Sequence, residues 1–563
     1  MKKYILYGAG RNAEIIIKKS VGIYEFDCVI DKDENKWGKK IGGLVINSPQ
    51  FLKTNEYKNQ DIIISITNET IHDSVITYLE ELGFKYGQNC FDASDVIPIG
   101  EVVPGHVSGV VDGIQSSQKI KSYDSASFLL YTDDRKGILR CVNDLYVNKY
   151  KEIFIKCKEN QLLGKYIVNT QIVDGNKLNL PYKLVLEHEY IDPVSYCFEW
   201  SPRTFHDYTI FMANMLKALA EAGLGLCDGH ALNATIYNAS FVFIDFGALK
   251  SGITGGVTLV EYINTHLIPL IMFAKGQTEK AYLFLKNAGI QYTLADIRGY
   301  LSIEEAEQIE ELYSDALRVK NQKAVIYIAD KFTKFINSLS EESFNTKWEG
   351  YQNDEWDWSD DRSRWSDKMC NVMKMIENVK PDSIVDLAGN MGWYGTYFHS
   401  KLKHALVVDM DTHCVDYVWD KIRKEGINNV IPVRMSICAP TLDYYRDEAI
   451  SKTAVIPWRR NAIYRFKSDL VLALAIIHHL VFSQQLSFDE VIDQFLMFSN
   501  KYMIIEFVEQ TDKYIQNFKK KGFEWYTKDS FEECLKKRCR ILDTESSTPG
   551  ETRTLYLCEK ING

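Results

Sequence analysis

The chain has 563 residues, which exceeds what one hydrophobic core supports, so several domains are expected. Its composition is that of a globular protein, with 46% hydrophobic and 25% charged residues. The 66 basic and 76 acidic side chains give a formal net charge of −10. Because a protein that binds a polyanion ordinarily carries a basic excess, nucleic acid is not an expected partner.

The cysteines and the apolar segments indicate where in the cell the chain is expected. The twelve cysteines include no Cys-x-x-Cys pair and no zinc spacing, which is typical of reduced thiols. The N-terminus runs directly into a strand pattern, without the apolar region of a signal peptide. The longest apolar run, Leu470–Leu480, is too short to span a bilayer. The sequence therefore predicts a cytoplasmic chain without a transmembrane segment and leaves its oligomeric state open.

Residues 1–105 alternate short apolar strands with helical stretches, which predicts a small parallel α/β sheet. A strand leads into the pattern G-x-G-x-x-A over residues 8–13, and Asp31 closes the next strand about twenty residues later. This segment resembles the small Rossmann-like domains that precede transferase modules in surface-glycan enzymes. The resemblance implies that Gly8, Gly10 and Asp31 contact a nucleotide, a nucleotide sugar or a similar ligand. A purely structural Rossmann remnant and a redox enzyme are the alternatives.

Residues 106–340 have a different pattern, in which strands are followed by long helices. Pro202 in a first turn and a capping-box pair, Ser302 and Glu305, mark two helix starts. The periodicity predicts a hairpin over 128–142, a strand over 182–190, and helices over 147–165, 202–222 and 302–339.

Within this region, three polar residues have the spacing of a phosphoryl-transfer site. Asp228 and Asn233 are five residues apart, and Asp245 follows an apolar strand in the sequence Asp-Phe-Gly. In that chemistry, Asp228 would accept the proton of a substrate hydroxyl, while Asn233 and Asp245 would hold magnesium against nucleotide phosphates.

The segment resembles the C-lobe of the protein-kinase and aminoglycoside-phosphotransferase superfamily, which implies Mg-ATP as a ligand. The match to the N-lobe is poor. No glycine-rich phosphate loop precedes Arg140, which stands where a kinase strand carries lysine. Three interpretations stay open: an active phosphotransferase, a nucleotide-binding module without transfer, and a structural or acceptor-binding module.

The clearest pattern lies in residues 341–563. An apolar strand carrying Asp386 is followed by Gly389-Asn390-Met391-Gly392, which opens a helix. Glycines let a backbone approach a ligand closely, and a helix N-terminus offers N–H groups. A second strand ends at Asp409, where a carboxylate can bind ribose hydroxyls. The sequence thus predicts an S-adenosylmethionine site that comprises Asp386, Gly389, Asn390, Gly392 and Asp409.

A third buried strand is followed by two consecutive histidines, His478 and His479. Imidazoles at that position can accept a hydroxyl proton while a methyl group transfers. The alternative is that they cap the strand end or pack beside the adenine. Glu506, on a further strand, is a second candidate for contact with the substrate.

Several stretches of this region resemble the host-specificity nodulation-type class I methyltransferases of bacteria, a family linked to surface and secreted glycan biosynthesis. The resemblance extends over residues 180–560 and implies S-adenosylmethionine as cofactor and a sugar, nucleotide-sugar or glycan acceptor. Ser436 departs from the family pattern, which has an acidic residue after the third strand. The stretches are 385–392, 472–480 (LALAIIHHL), 503–508 (MIIEFV), 553–556 and Trp458–Arg465.

The predicted architecture is multidomain α/β. It comprises a Rossmann-like parallel sheet (1–105), a kinase-like α+β domain (106–340) and a class I methyltransferase with a doubly wound sheet (341–563). The predicted function is O-methylation of a sugar or glycan in surface-polysaccharide biosynthesis. One alternative is a bifunctional enzyme that phosphorylates a glycan hydroxyl and methylates the phosphate. Another is a non-catalytic scaffold that binds nucleotides.

Overall fold

The structure is a computed structural model. It describes residues 3–10, 13, 16–17, 25–54, 60–66, 69–85, 89–92, 117–120, 126–132, 137–178, 180, 182–286, 292–339, 361–442, 461–518, 521–547 and 552–561. Both predicted domain boundaries, near residues 105 and 340, lie outside the described residues. Arg11 and Asn12 of the first glycine turn and the segment from Trp458 to Arg460 lie outside them as well.

The chain divides into two compact units. One comprises residues 1–147 and 171–188, and the other comprises residues 148–170 and 189–563. The predicted division into three domains stays a prediction.

The first unit contains a mainly parallel sheet near the N-terminus. Its described strands lie in the order β3-β4-β2-β1-β5-β6, and β1 pairs in parallel with both β2 and β5. Successive side chains of β1 pack on opposite faces, Ile5 in one apolar cluster and Leu6 in the other, because side chains alternate along a strand. The predicted parallel α/β sheet is confirmed. Its elements are β1 (Lys3–Tyr7), β2 (Glu25–Ile30), β3 (Lys40–Ile41), β4 (Leu44–Asn47), β5 (Asp61–Ile64), α1 (Glu69–Glu81) and β6 (Cys90–Asp92).

A second sheet follows, with its described strands in the order β10-β11-β9-β8-β7. The predicted hairpin over 128–142 is confirmed, since β8 and β9 pair antiparallel from Ser127 opposite Val142 to Thr132 opposite Gly137. The strands are β7 (Ser117–Ile120), β8 (Ser127–Thr132), β9 (Gly137–Val142), β10 (Thr170–Val173) and β11 (Val185–His188).

Helices dominate the next region, with two short antiparallel strand pairs, β12–β15 and β13–β14. The strands are β12 (Leu224–Leu226), β13 (Ala234–Tyr237), β14 (Ser240–Phe243) and β15 (Leu249–Ser251). The helices are α2 (Val147–Glu159), α3 (Pro202–Glu221), α4 (Gly256–Tyr262), α5 (Ile268–Ala274), α6 (Thr278–Lys286), α7 (Leu294–Ile297), α8 (Ile303–Leu317) and α9 (Gln322–Ser338).

The helix starts agree with the sequence better than the helix ends do. The predicted helix over 202–222 is confirmed, with Ser201 as its cap, and so is the capping box of Ser302. The predicted single helix over 302–339 is wrong: α8 ends at Leu317, and the Asn321 side chain caps a new helix, α9. The predicted helix over 147–165 is too long, because Gln161 adopts a φ of 55°.

In the described part of the chain, one helical stretch, Gly256–Ala274, is long and apolar enough to cross a membrane. It runs through α4 and α5, and 78% of its apolar window is buried inside the protein. That degree of burial is what the central helix of a folded core also shows.

The last part of the second unit is built on a sheet whose described strands lie in the order β18-β17-β16-β19-β20-β22-β21. From β18 to β20 all neighbours are parallel, and β22 runs antiparallel to both β20 and β21. The elements are α10 (Asp367–Val379), β16 (Ser383–Leu387), α11 (Trp393–Phe398), β17 (His404–Asp409), α12 (Thr412–Glu425), β18 (Val430–Arg434), α13 (Ala462–Arg465), β19 (Ser468–Ala473), α14 (Ile477–Gln484), α15 (Phe488–Met497), β20 (Ser499–Val508), α16 (Lys528–Lys536), β21 (Cys539–Ser546) and β22 (Arg553–Lys560).

The order in which strands are added reverses at β16. From β16 the chain adds β17 and β18 on one side and then returns to add β19 on the other side of β16. In open parallel sheets, a ligand crevice forms at such a reversal, outside the carboxyl ends of the strands. The site is therefore expected where β16, β17 and β19 end.

A buried ion pair ties the helical region to this sheet within the second unit. Arg465 at the end of α13 donates through Nη2 and Nη1 to the two carboxylate oxygens of Glu199, at 2.5 and 3.0 Å. The two side chains are only 6% and 1% exposed. Nearby, the Trp419 ring of α12 packs 5.1 Å from Phe241 and donates to Asp207 at 2.9 Å. The helical region and the sheet thus share one desolvated interface.

Candidate cofactor and acceptor site

The turn after β16 combines left-handed backbone with close packing. Ala388, Asn390 and Gly392 have φ values of 56°, 49° and 71°. A Cβ on Gly392 would lie 2.9 Å from Val418 Cγ2, and one on Gly389 would lie 2.9 Å from Asp386 Cγ. The atoms that exclude a side chain here belong to the protein, whereas the sequence argument assigned the glycines to close contact with a cofactor. Both glycines thus fix the shape of the turn.

Asp386 lies one residue before the end of β16, next to this turn, as a buried carboxylate. Its side chain is 3% exposed, and its Oδ2 atom has no hydrogen-bond partner among the described residues. Burial, and then the neighbouring Asp409, raise the pKa of Asp386 to about 7, against an opposing effect of Lys368. The Oδ1 atom of Asn390 is likewise buried without a partner. The two acceptor oxygens lie at the end of β16 and in the turn that follows it, and they suit a ligand that carries an ammonium group.

Asp409 ends β17 beside this turn and braces it. Its Oδ2 atom accepts the Asn390 N–H at 2.9 Å, and its Oδ1 atom accepts the Asp411 N–H at 2.9 Å. Burial raises the pKa of Asp409, although these N–H groups act in the opposite direction. Since a carboxylate offers about four lone-pair positions, Asp409 can still accept a hydroxyl donor, such as that of a ribose, beside these backbone N–H groups.

The paired histidines lie in the first turn of α14, which begins four residues after the end of β19. Their ring centroids are 4.4 Å apart, and Phe518 packs edge-on against both rings. His478 is 5% exposed, and its Nδ1 atom has no partner among the described residues. Burial, followed by His479 and Arg553, lowers the pKa of His478 to about 3, and burial lowers the pKa of His479. Both imidazoles are therefore neutral at neutral pH.

Glu506 on β20, the second candidate for substrate contact, is already engaged inside the protein. It is fully buried and accepts the Lys368 ammonium at 2.6 Å and the Ser547 hydroxyl at 2.6 Å. Burial alone would raise the pKa of Glu506, but Lys368 and Ser547 hold it below its usual range. Lys368 of α10 was missed by the sequence reasoning, because it precedes the first strand and belongs to no motif.

The kinase-like residues lie around the β13–β14 hairpin. Asp228 is 47% exposed, and its Oδ1 atom is 3.6 Å from His230 Nε2. The Nδ2 atom of Asn233 is buried without a partner, and Asp245 accepts the Gly247 N–H at 2.9 Å. The described residues contain no group of three or more His, Cys, Asp and Glu side chains arranged to hold a metal ion. The assignment of magnesium to Asn233 and Asp245 stays a prediction.

Two further residues bear on the kinase-like prediction, Glu261 in the second unit and Arg140 in the first. Glu261 of α4, missed from the sequence, accepts the Gly229 N–H at 3.1 Å and so braces the loop that carries Asp228. Burial, and also Asp228, raise the pKa of Glu261. In the first unit, Arg140 is 3% exposed and donates to Ser127 Oγ at 2.8 Å and His188 Nε2 at 3.2 Å.

In the N-terminal turn, Asp31 is surrounded by donors from its own chain. Its carboxylate accepts the Ala9 N–H at 2.6 Å, the Asp33 N–H at 2.8 Å and the Lys36 ammonium at 3.1 Å. Gly8 has a φ of 105°, and a Cβ there would lie 2.6 Å from Ser65 Oγ, whereas Gly10 faces open space. The contact of Gly8, Gly10 and Asp31 with a nucleotide stays a prediction.

The fold and the site define a class of protein. Strand order third-second-first-fourth-fifth-seventh-sixth, with the seventh strand antiparallel, is the arrangement of the class I methyltransferases. The glycine turn and the acidic residues at the ends of β16 and β17 lie where the strand order reverses, and the assignment of these residues to an S-adenosylmethionine site stays a prediction. The second unit therefore contains the fold of this class.

Comparison with known proteins gives the nearer relationship. Nodulation protein NoeA of Rhizobium meliloti (strain 1021) is 22% identical over 403 residues, which cover 67% of this chain and 82% of that protein. The predicted resemblance to nodulation proteins is confirmed. No family model matches the chain.

Solved structures match parts of the chain. The N-methyltransferase NodS from Bradyrhizobium japonicum WM9 is 7% identical, with a TM-score of 0.24, over 35% of this chain and 94% of its own. The bifunctional kinase-methyltransferase WbdD is 14% identical, with a TM-score of 0.25, over 36% of this chain and 40% of its own. At such scores these likenesses bear on neither the substrate nor a second activity.

Proposed function

We propose that the protein transfers a methyl group from S-adenosylmethionine to a hydroxyl oxygen of a sugar or glycan used at the bacterial surface. The observation that carries this proposal is a set of three buried polar atoms without partners, Asp386 Oδ2, Asn390 Oδ1 and His478 Nδ1. Buried polar atoms are ordinarily satisfied, so such a set at a sheet edge favours a polar ligand. The resemblance of residues 180–560 to nodulation-type methyltransferases linked to glycan biosynthesis favours a saccharide acceptor.

The roles of the residues follow from their chemistry. When bound, the cofactor supplies an activated methyl group on a sulfonium. Asp386 and Asn390 would accept hydrogen bonds from its ammonium, and Asp409 from its ribose. His478 would accept a hydrogen bond from the acceptor hydroxyl and orient its oxygen for in-line attack. Because the buried imidazole is a weak base, it would first orient the hydroxyl. The hydroxyl would become strongly acidic as the oxygen–methyl bond forms and the sulfur–methyl bond breaks, and its proton would then pass to His478 and on to solvent.

Mass spectrometry tests this proposal. Candidate surface glycans are incubated with the protein and S-adenosylmethionine, and the expected product gains one methyl mass. His478→Gln should reduce the rate of methylation while binding of S-adenosylhomocysteine stays intact. A folded protein that gives no heat with S-adenosylmethionine in calorimetry would contradict the proposal and favour the non-catalytic scaffold.

A second candidate function is phosphorylation of a glycan hydroxyl followed by methylation of that phosphate. It is favoured by the buried Asn233 Nδ2 atom, which lacks a partner, and by the accessible Asp228 carboxylate. Adding Mg-ATP to the same incubation distinguishes the candidates, since a phosphate mass should then appear together with the methyl mass. Asp245→Asn should abolish the phosphate gain, and methylation that needs no ATP would exclude this candidate.

A further inference from the structure

The methionine end of the cofactor carries two opposite charges, an α-ammonium and an α-carboxylate. Asp386 and Asn390 offer oxygen atoms, which accept hydrogen bonds from the ammonium. The same oxygen atoms cannot donate to the α-carboxylate, and the charge of Asp386 repels it. A protein that binds this zwitterion selectively therefore needs a cation on the other side of the same group. The glycine turn, residues 388–392, contains no such cation.

Lys368 of α10 lies where that cation is needed. Its ammonium contacts Glu506, which follows Ile505 on β20. Ile505 pairs with Ala473 at the end of β19, and Ala473 pairs with Leu387 at the end of β16, so the ammonium lies at the carboxyl ends of these strands. In agreement with this position, the charge of Lys368 lowers the pKa of Asp386, against the larger effect of burial. Its side chain is 18% exposed, which leaves one side of the ammonium accessible.

The buried Glu506 fixes the direction of this ammonium. One of the three N–H donors of Lys368 points to Glu506 Oε2 at 2.6 Å, and Ser547 holds the other carboxylate oxygen of Glu506 at 2.6 Å. Within the described residues, the other two donors have no hydrogen-bond acceptor. A lysine whose ammonium is held in place by a fully buried carboxylate is preorganised to bind a second anion.

We infer that Lys368 binds the α-carboxylate of the cofactor, while Asp386 binds its ammonium. This inference rests on the proposed function, because it names a contact within the same cofactor site. Glu506 is then a positioning residue that acts through Lys368, which replaces the substrate contact predicted for it from the sequence.

Calorimetry with three commercially or synthetically accessible ligands isolates the contact. They are S-adenosylhomocysteine, its decarboxylated analogue, which keeps the amine, and 5′-methylthioadenosine, which lacks the whole amino-acid group. The wild-type protein should bind S-adenosylhomocysteine about tenfold or more tighter than the decarboxylated analogue. Lys368→Met should remove most of this ratio and leave the affinity for 5′-methylthioadenosine unchanged, whereas Lys368→Arg should retain part of the ratio.

The ratio is the decisive quantity, because loss of Lys368 also changes the ionisation of Asp386. That change weakens both amine-bearing ligands alike and cancels in the ratio. Since Lys368→Met leaves Glu506 buried without its cation, the double variant Lys368→Met/Glu506→Gln serves as the folded control. An unchanged ratio in both variants would overturn the inference while the proposed function stands. Failure of the wild-type protein to bind S-adenosylhomocysteine would instead sink the proposed function.

Discussion

The protein contains two glycine turns that look alike in sequence and differ in what surrounds them. In both, the carboxylate that ends the second strand accepts a backbone N–H from the turn, Ala9 to Asp31 in one and Asn390 to Asp409 in the other. One residue before the end of the first strand, the N-terminal turn has the buried Leu6 and the C-terminal turn has Asp386. The comparison teaches that glycines specify the turn, whereas an unsatisfied buried carboxylate distinguishes a ligand site.

The largest effect should come from the packing of the C-terminal turn. Gly392→Ala places a Cβ against Val418 in left-handed backbone, so we expect a loss of about 2–4 kcal/mol in the free energy of unfolding. Binding of S-adenosylhomocysteine should disappear with it. Urea unfolding and calorimetry measure the two effects, and a variant with unchanged unfolding would show that the turn tolerates a side chain.

The second largest effect should distinguish Asp386 from Asp31 by the affinity for S-adenosylhomocysteine. Asp386→Asn removes the negative charge that faces the ammonium, so affinity for S-adenosylhomocysteine should fall about tenfold or more. Asp31→Asn is the matched control: it should leave that affinity unchanged, although it weakens the acceptor of Ala9 and Lys36. Equal losses in both variants would break the distinction between the turns.

A smaller effect is a pH dependence of cofactor binding. Burial and Asp409 raise the pKa of Asp386 from an ordinary value of 3.8 to about 7, so the folded apoprotein holds this proton more tightly than the unfolded chain. Ionisation of Asp386 therefore lowers stability as pH rises from about 4 to 7. The ligand ammonium favours the ionised form, so affinity for S-adenosylhomocysteine should rise between pH 6 and 8. Calorimetry across this range should give a flat profile for Asp386→Asn.

The smallest effect is expected at Gly10. A Cβ there meets no atom of the described residues within 4 Å, and its φ is outside the left-handed range. Gly10→Ala should therefore change the free energy of unfolding by less than about 0.5 kcal/mol. If thermal unfolding shifted as far as in Gly392→Ala, the two turns would be equally constrained and the contrast between them would be lost.

Local patterns predicted most of the elements, because strand alternation and helix capping depend on neighbouring residues. The helix start at Pro202 and the strand carrying Asp386 are examples. What was missed depends on distant residues. The contact of Lys368 with Glu506 joins residues 138 positions apart, and no spacing rule encodes it. The break before Asn321 was missed because the apolar periodicity continues on both sides of a short interruption.

The Glu199–Arg465 pair bears on how the chain can be cut. A fragment beginning at residue 341, where the sequence pattern changes, would carry Arg465 without its carboxylate and the Trp419 ring without Phe241. In that fragment Arg465 and the Trp419 ring would lie on a newly exposed surface, so the lost packing and the exposed apolar patch should lower its stability and solubility. Chimaeras and truncations that keep residues 189–561 together would preserve this interface. The change in sequence pattern near residue 341 is therefore a poor place to divide the protein.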